Sequence, residues 1–156
     1  MSFDIRQVDA AGGDAVRCLE AYLAELNRRS ESGYDPTAGV SAEPQEFRPP
    51  LGHFVVAYVG SEAIGCGAVK HVPGQPAEIK RMWVSDGARG LGLGRRLLAE
   101  LEAFAADAGA TLLRLETNRT LTEAIGLYRS VGYVEVAPFN DEPFADHWFE
   151  KSLRPS

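Results

Sequence analysis

Cysteine is nearly absent from this chain, with only Cys18 and Cys66 among 156 residues. The pair fits no metal-ligand spacing and is too small for a disulfide framework, so both are expected as small core residues. Histidine is equally sparse. His53, His71 and His147 are scattered and supply neither a zinc set nor a catalytic triad, so no metal is expected. No basic run is longer than two residues and the formal net charge is −6, which excludes nucleic acid as a natural partner. A cationic small molecule or a basic peptide is the better electrostatic match. No apolar run approaches the roughly 20 residues that span a bilayer, so no membrane partner is expected. Met1 to Arg6 lacks the basic stretch and apolar run of a signal peptide, which points to the cytoplasm.

What is present suits one soluble domain over residues 1–156, with 45% hydrophobic and 24% charged residues. Phe3 to Val8 alternates as a half-buried strand. Asp14 can cap a helix to about Arg29, with Val16, Leu19, Leu23 and Leu26 as its expected inner stripe. Residues 30–50 hold four prolines and two glycines and read as a long loop, a length that is often functional. His53 to Val59 reads as a strand covered on both faces, and Ala63 to Lys70 returns as its hairpin partner. Glu78 to Val84 is a further strand, followed by a strong helix from about Leu91 to Ala108. Thr111 to Glu116 is a strand, Leu121 to Ser130 a helix, Tyr133 to Val136 a short strand, and His147 to Leu153 the last. The order β-α-loop-β-β-β-α-β-α-β-β predicts a mixed α/β (α+β) domain, not a regular βαβ array.

Between a strand and the strong helix lies Arg89-Gly90-Leu91-Gly92-Leu93-Gly94. Glycines there let the backbone come close to a ligand and take positive φ. First-turn helix amides have no intrahelical acceptor and attract an anion. Arg95 and Arg96 stand where the helix dipole disfavours cations by about 0.3–1 kcal/mol each, a cost that a bound pyrophosphate would reverse. No Gly-Lys-Ser/Thr follows, and the spacing is not the dinucleotide fingerprint. A nucleotide-binding protein is therefore a weak alternative.

With Arg89, Gly92 and Gly94 the turn matches Arg/Gln-x-x-Gly-x-Gly/Ala, and the chain resembles the GCN5-related N-acetyltransferase (GNAT) superfamily. Met82-Trp83-Val84 upstream, Leu127-Tyr128-Arg129-Ser130-Val131-Gly132-Tyr133 downstream and the element order extend the resemblance over residues 3–153. It implies a mostly antiparallel sheet with splayed central strands, flanked by helices. It also implies acetyl-CoA as acyl donor, with the pyrophosphate on the amides of Leu91, Gly92, Leu93, Gly94 and Arg95, and Arg89 and Gly90 in the same cradle. The backbone around Met82, Trp83 and Val84 would bind the pantetheine arm, provided that strand 78–84 splays from strand 111–116.

Acetyl transfer to nitrogen needs a neutral amine, and an alkyl amine of pKa about 10.4 costs roughly 4–5 kcal/mol to deprotonate at pH 7. A carboxylate that accepts the proton helps. Glu78 lies eleven residues before Arg89, the spacing at which histone-type members place their base. Strict alternation puts it on one face with Lys80, Met82 and Val84. Tyr128 matches the residue from which many members protonate the departing thiolate. Many relatives carry an Asn seven residues earlier that contacts the cofactor arm; here that position is Leu121, and Asn118 is the expected substitute. The late loop Phe139 to Phe144, and Tyr34 and Phe47 of the long loop, are expected over the acceptor.

The expected activity is N-acetylation of a primary amine by direct attack in a ternary complex, on a small molecule or amino acid. Alternatives are a protein lysine or N-terminal acceptor, and a non-catalytic acyl-CoA-binding sensor. The resemblance also allows a homodimer.

Overall fold

The computed structural model describes residues 3–29 and 44–153. The elements are β1 (Asp4–Gln7), α1 (Gly13–Arg29), β2 (Gly52–Val59), β3 (Glu62–Lys70), β4 (Ala77–Val84), α2 (Leu93–Asp107), β5 (Leu112–Thr117), α3 (Thr122–Ser130), β6 (Val134–Val136) and β7 (His147–Ser152). Single 3-10 turns at Pro44–Phe47 and Asp86–Ala88 precede β2 and the glycine-rich turn. The seven strands form one sheet in the order β1-β2-β3-β4-β5-β7-β6. Every neighbouring pair is antiparallel except β4–β5, whose parallel pairing is reached through the crossover helix α2. No described helix is long and apolar enough to cross a membrane.

Each face of the sheet buries its own core. On one, Val55, Ala57, Val69, Ile79, Leu113, Leu115 and Phe149 pack against Leu97, Leu98, Leu101 and Ala105 of α2 and Tyr128 of α3. On the other, Phe54, Val56, Cys66 and Ala68 pack against Ala15 and Cys18 of α1 and Phe47. Both thiols are free and buried, as their sequence context implied.

Helix α1 corrects one expectation. Its buried residues are Ala15, Cys18, Glu25 and Leu26, while Val16 is exposed. The inner stripe is rotated because small residues let the helix lie close on β3. The same face, continued one, two and three turns past Cys18, carries Tyr22, Glu25 and Arg29 towards β4 and the glycine-rich turn.

The second correction concerns β4. Arg81 has φ +58°, and the β3–β4 register shifts between Cys66 and Ala68. This bulge interrupts the alternation. Ile79 packs into the α2-side core and so do Met82 and Val84, three and five residues on. Glu78 and Lys80 therefore face the α1 side and do not share a face with Met82 and Val84. Gly67 faces the bulge, and a Cβ there would lie 2.6 Å from the Met82 sulfur.

His53 lies flat on Phe104 of α2, with ring centroids 4.7 Å apart and planes 9° from parallel. Its Nδ1 is buried without a partner, and burial lowers its pKa from the ordinary value near 6.5. The folded state thus prefers the neutral ring. Its contribution to stability is complete above pH 6.5 and is lost as pH falls below that value. The urea midpoint is expected to drop between about pH 7.5 and 5.5, and to drop less in His53→Gln. An equal drop in both proteins would remove His53 from the acid response.

Candidate functional site

The site begins where the sheet opens. Strands β4 and β5 are paired only at Ala77–Leu113 and Glu78–Arg114. Beyond these pairs the strands diverge, and no residue from 79 to 84 of β4 is paired with β5. This is the splay that the family resemblance implied, and Met82, Trp83 and Val84 line a groove there.

That groove, about 460 Å³, is lined by Met82, Trp83 and Val84 from β4, by Gly90, Gly92, Leu93, Gly94 and Arg95 from the turn and α2, and by Leu121, Leu127 and Tyr128 around α3. Gly90 and Gly92 both have φ +81°, a conformation that suits glycine. Helix α2 starts at Leu93, two residues later than expected, because left-handed Gly92 is its N-cap. The first amide to bond back into the helix is that of Arg96, to the Gly92 carbonyl at 3.2 Å. The amides of residues 93–95 come before that ladder, in the position where helix amides are open to an anion. Leu91 is exposed and does not line the groove. A Cβ on Gly94 would lie 2.8 Å from Leu127 Cδ2, so this glycine lets α2 approach α3 along the groove.

The arginines divide. Arg95 lines the groove and donates to Ser130 Oγ at 3.1 Å. Arg96 turns away to the Phe3 carbonyl. Arg89 lines the groove but is held by Glu25 of α1, by Asp86 at 2.5 Å and by Glu123 of α3 at 3.8 Å. Arg29 joins the same cluster, 3.5 Å from Glu25 and 3.0 Å from Glu123. The cluster ties α1, the turn and α3 together at the glycine-rich end of the groove. An incoming pyrophosphate would compete for cations that carboxylates already occupy.

Beside the groove, sharing Met82, Leu121, Ala124 and Tyr128 with it, is a small slot of about 40 Å³ inside the splay, lined also by Tyr22, Lys80, Arg81, Glu116, Thr117 and Phe144. Tyr128 borders both spaces, 5% exposed. Its ring meets Tyr133 edge-on at 5.8 Å and Phe149 at 6.2 Å. Burial raises the phenol well above its ordinary pKa, and the Glu116 charge raises it further. The group therefore keeps its proton throughout the neutral range.

Two sequence candidates lie elsewhere. Glu78 lines neither space; it sits at the closed end of the splay, 3.7 Å from Lys70 and 4.0 Å from Lys80. Asn118 is consumed by its own turn. Its amide donates to the Phe144 carbonyl at 2.7 Å, and its oxygen accepts from the Thr120 amide and hydroxyl. Leu121 is the residue that borders the groove. Phe47 is core, edge-on to Phe54 and covered by Arg81. Phe144 reaches the slot, whereas Phe139 lies under Arg114. Tyr34 lies outside the described residues.

Glu116 also borders the slot, a position that stands out only in the structure. In Leu112-Leu113-Arg114-Leu115-Glu116-Thr117 it occupies an ordinary outward position of an alternating strand. Only the splay turns that position inward. The available signal was its parity with Arg114 on the strand expected to splay. No group of metal-ligating side chains occurs among the described residues.

Comparison with known proteins gives one family. The model described as "Acetyltransferase (GNAT) family" matches residues 19–133. An IAA acetyltransferase of Azospirillum brasilense is 36% identical, over 75% of this chain and 77% of its own. The N-alpha-acetyltransferase RimI of Mycobacterium tuberculosis is 34% identical, over 79% and 74%. Among solved structures, an aminoglycoside 6'-N-acetyltransferase complexed with coenzyme A superposes with a TM-score of 0.70 at 20% identity, covering 98% of both chains.

Proposed function

Because the chain belongs to the GNAT family of acetyltransferases, and so transfers acetyl from acetyl-CoA to nitrogen, we propose that it acts on a primary amine by direct attack in a ternary complex. The observation that carries this reading is that groove and slot lie side by side at the β4–β5 splay and share Met82, Leu121, Ala124 and Tyr128 as lining residues. A pantetheine arm that hydrogen-bonds the free edge of β4 would bring the thioester to that junction. The first amides of α2, with Gly90, Gly92 and Arg95, would hold the pyrophosphate. Both cysteines are buried away from the groove, which favours direct attack over a thiol acyl-enzyme.

Tyr128 is proposed as the proton donor to the leaving thiolate. Glu78 reaches the slot only through Lys80, so its proposed contribution is electrostatic: it holds Lys80 in place and does not itself touch the amine. The acceptor is proposed to be a small molecule or an amino acid, since the slot admits only the end of a chain. The name of RimI denotes an N-alpha acceptor and that of the aminoglycoside enzyme a small molecule, so the comparison test must include both classes. Free buried thiols suit a reducing cytoplasm. A homodimer would pair through the open edge at β6, where Val134 is exposed; sedimentation velocity reads that state.

The test is free-thiol release from acetyl-CoA over a panel of small amines, amino acids and peptides with free lysine or terminal amines. Thiol release coupled to an acetylated small amine is the expected result. Coenzyme A binding with no turnover on any acceptor would instead indicate a sensor.

A further inference from the structure

Glu25 is the buried carboxylate of α1, with 7% side-chain exposure, and it lines the groove. A glutamate is seldom buried unless it is paired, and a negative charge beside an anion cradle is unfavourable by itself. Its Oε1 accepts from Arg89 Nη2 and lies 3.5 Å from Arg29. Arg89 directly precedes Gly90, and Gly90 and Gly92 both hold φ +81°. Glycine has the most backbone freedom to lose, so a turn that fixes two of them needs an anchor outside itself.

Three carboxylates hold the Arg89 guanidinium, but they are not equivalent. Asp86 and Glu123 expose 77% and 54% of their side chains, and exposed pairs are screened and contribute little. The Glu25 contact is the sheltered one. It comes from a helix whose neighbouring turns are packed on the sheet. A guanidinium carries five N–H donors, and the bond to Glu25 is made from Nη2 alone. Arg89 can keep Glu25 and still offer donors to an anion in the groove.

Resting on the acetyltransferase reading, we propose that Glu25 is a positioning residue for acetyl-CoA: it pins Arg89, and through Arg89 the Gly90–Gly92 turn, before the cofactor arrives. It acts through Arg89 and adds no contact of its own to the anion. Asp86 and Glu123 give way to the pyrophosphate, whereas Glu25 stays. The sign of the effect separates positioning from charge. Removing a carboxylate beside the groove would tighten an anionic ligand on charge alone; unpinning the turn weakens it.

The experiment measures coenzyme A binding by calorimetry in wild type, Glu25→Gln, Asp86→Asn, Arg89→Gln and the double variant Glu25→Gln/Arg89→Gln. Steady-state thiol release is followed with the fastest amine of the panel. Glutamine keeps the shape of the side chain, and Arg29 still ties α1 to the Thr120 carbonyl at 2.7 Å and to Glu123, so Glu25→Gln is expected to fold. It is expected to raise the coenzyme A dissociation constant and the acetyl-CoA KM about tenfold, with kcat within about twofold. Asp86→Asn is expected to shift the dissociation constant less than about threefold. The double variant is expected to bind as Arg89→Gln does, because Glu25 then has nothing left to position. Binding by Glu25→Gln as tight as wild type or tighter, or losses that multiply in the double variant, would overturn the assignment and leave the acetyltransferase reading intact. So would a fall in kcat with KM unchanged. If Glu25→Gln does not fold, the double variant, which removes both charges together, decides: affinity equal to that of Arg89→Gln supports the assignment, and weaker affinity overturns it. A wild type that binds no coenzyme A would remove the cofactor reading and the assignment with it.

Discussion

Tyr128→Phe is expected to lower kcat by about 10²-fold, within the range for loss of a positioned general acid. The acetyl-CoA dissociation constant should change little, because the ring still fills its place between Tyr133 and Phe149. The loss should fall on kcat and kcat/KM alike, since the hydroxyl acts as charge develops on sulfur. Burial holds the phenol protonated beyond its ordinary pKa near 10, so the wild-type rate should show no basic limb from this group below that value. Steady-state thiol release across pH checks both points. An unchanged kcat would reduce Tyr128 to a packing residue.

Gly94→Val is expected to be the most damaging single change to cofactor binding. A Cβ at this position already lies 2.8 Å from Leu127 Cδ2, and valine adds two methyl groups at the meeting of α2 and α3. Either Leu127 swings into the groove or α3 moves away from the cradle, and both spoil the cofactor site. Overpacking of this kind costs about 1–3 kcal/mol, so the acetyl-CoA dissociation constant should rise about tenfold or more. Calorimetric titration reads it. Glycine at 94 does not serve a positive φ, unlike Gly90 and Gly92. A normal dissociation constant in Gly94→Val would show that the cofactor does not lie along this helix junction.

Most element boundaries were legible because periodicity and punctuation agreed. Gly109, after α2, has the positive φ expected of a helix stop, and β2 is buried on both faces, as its unbroken apolar run implied. The splay was legible only through what a bound cofactor arm would need. Two features were hidden for physical reasons. The bulge at Arg81 carries no glycine or proline on its own strand to mark it, so strict alternation placed Glu78 on the wrong face. Its counterpart was Gly67, on a different strand. Glu116 was hidden because strand alternation says which face a residue takes, but not that its neighbour has moved away. A charge on an alternating strand reads as solvated until the adjacent strand diverges and encloses it.

The site residues differ in the same way. The glycine turn was legible from local chemistry: backbone donors, positive φ and a helix start all follow from a few adjacent residues. The proposed proton-handling groups depend on which strands meet. Tyr128 was reached through the family resemblance, and its short helix, Thr122–Ser130, sets it on the groove wall. Asn118 could not, because its carboxamide is used within its own turn by Thr120 and the Phe144 carbonyl.

The most direct test of direct acetyl transfer is the initial-rate pattern of thiol release with acetyl-CoA and amine varied together, alongside mass spectrometry of the protein and the amine. Lines that intersect, with the acetyl group appearing on the amine and never on the protein, are the predicted result. Parallel lines with an acetylated protein would contradict transfer through a ternary complex at the β4–β5 splay.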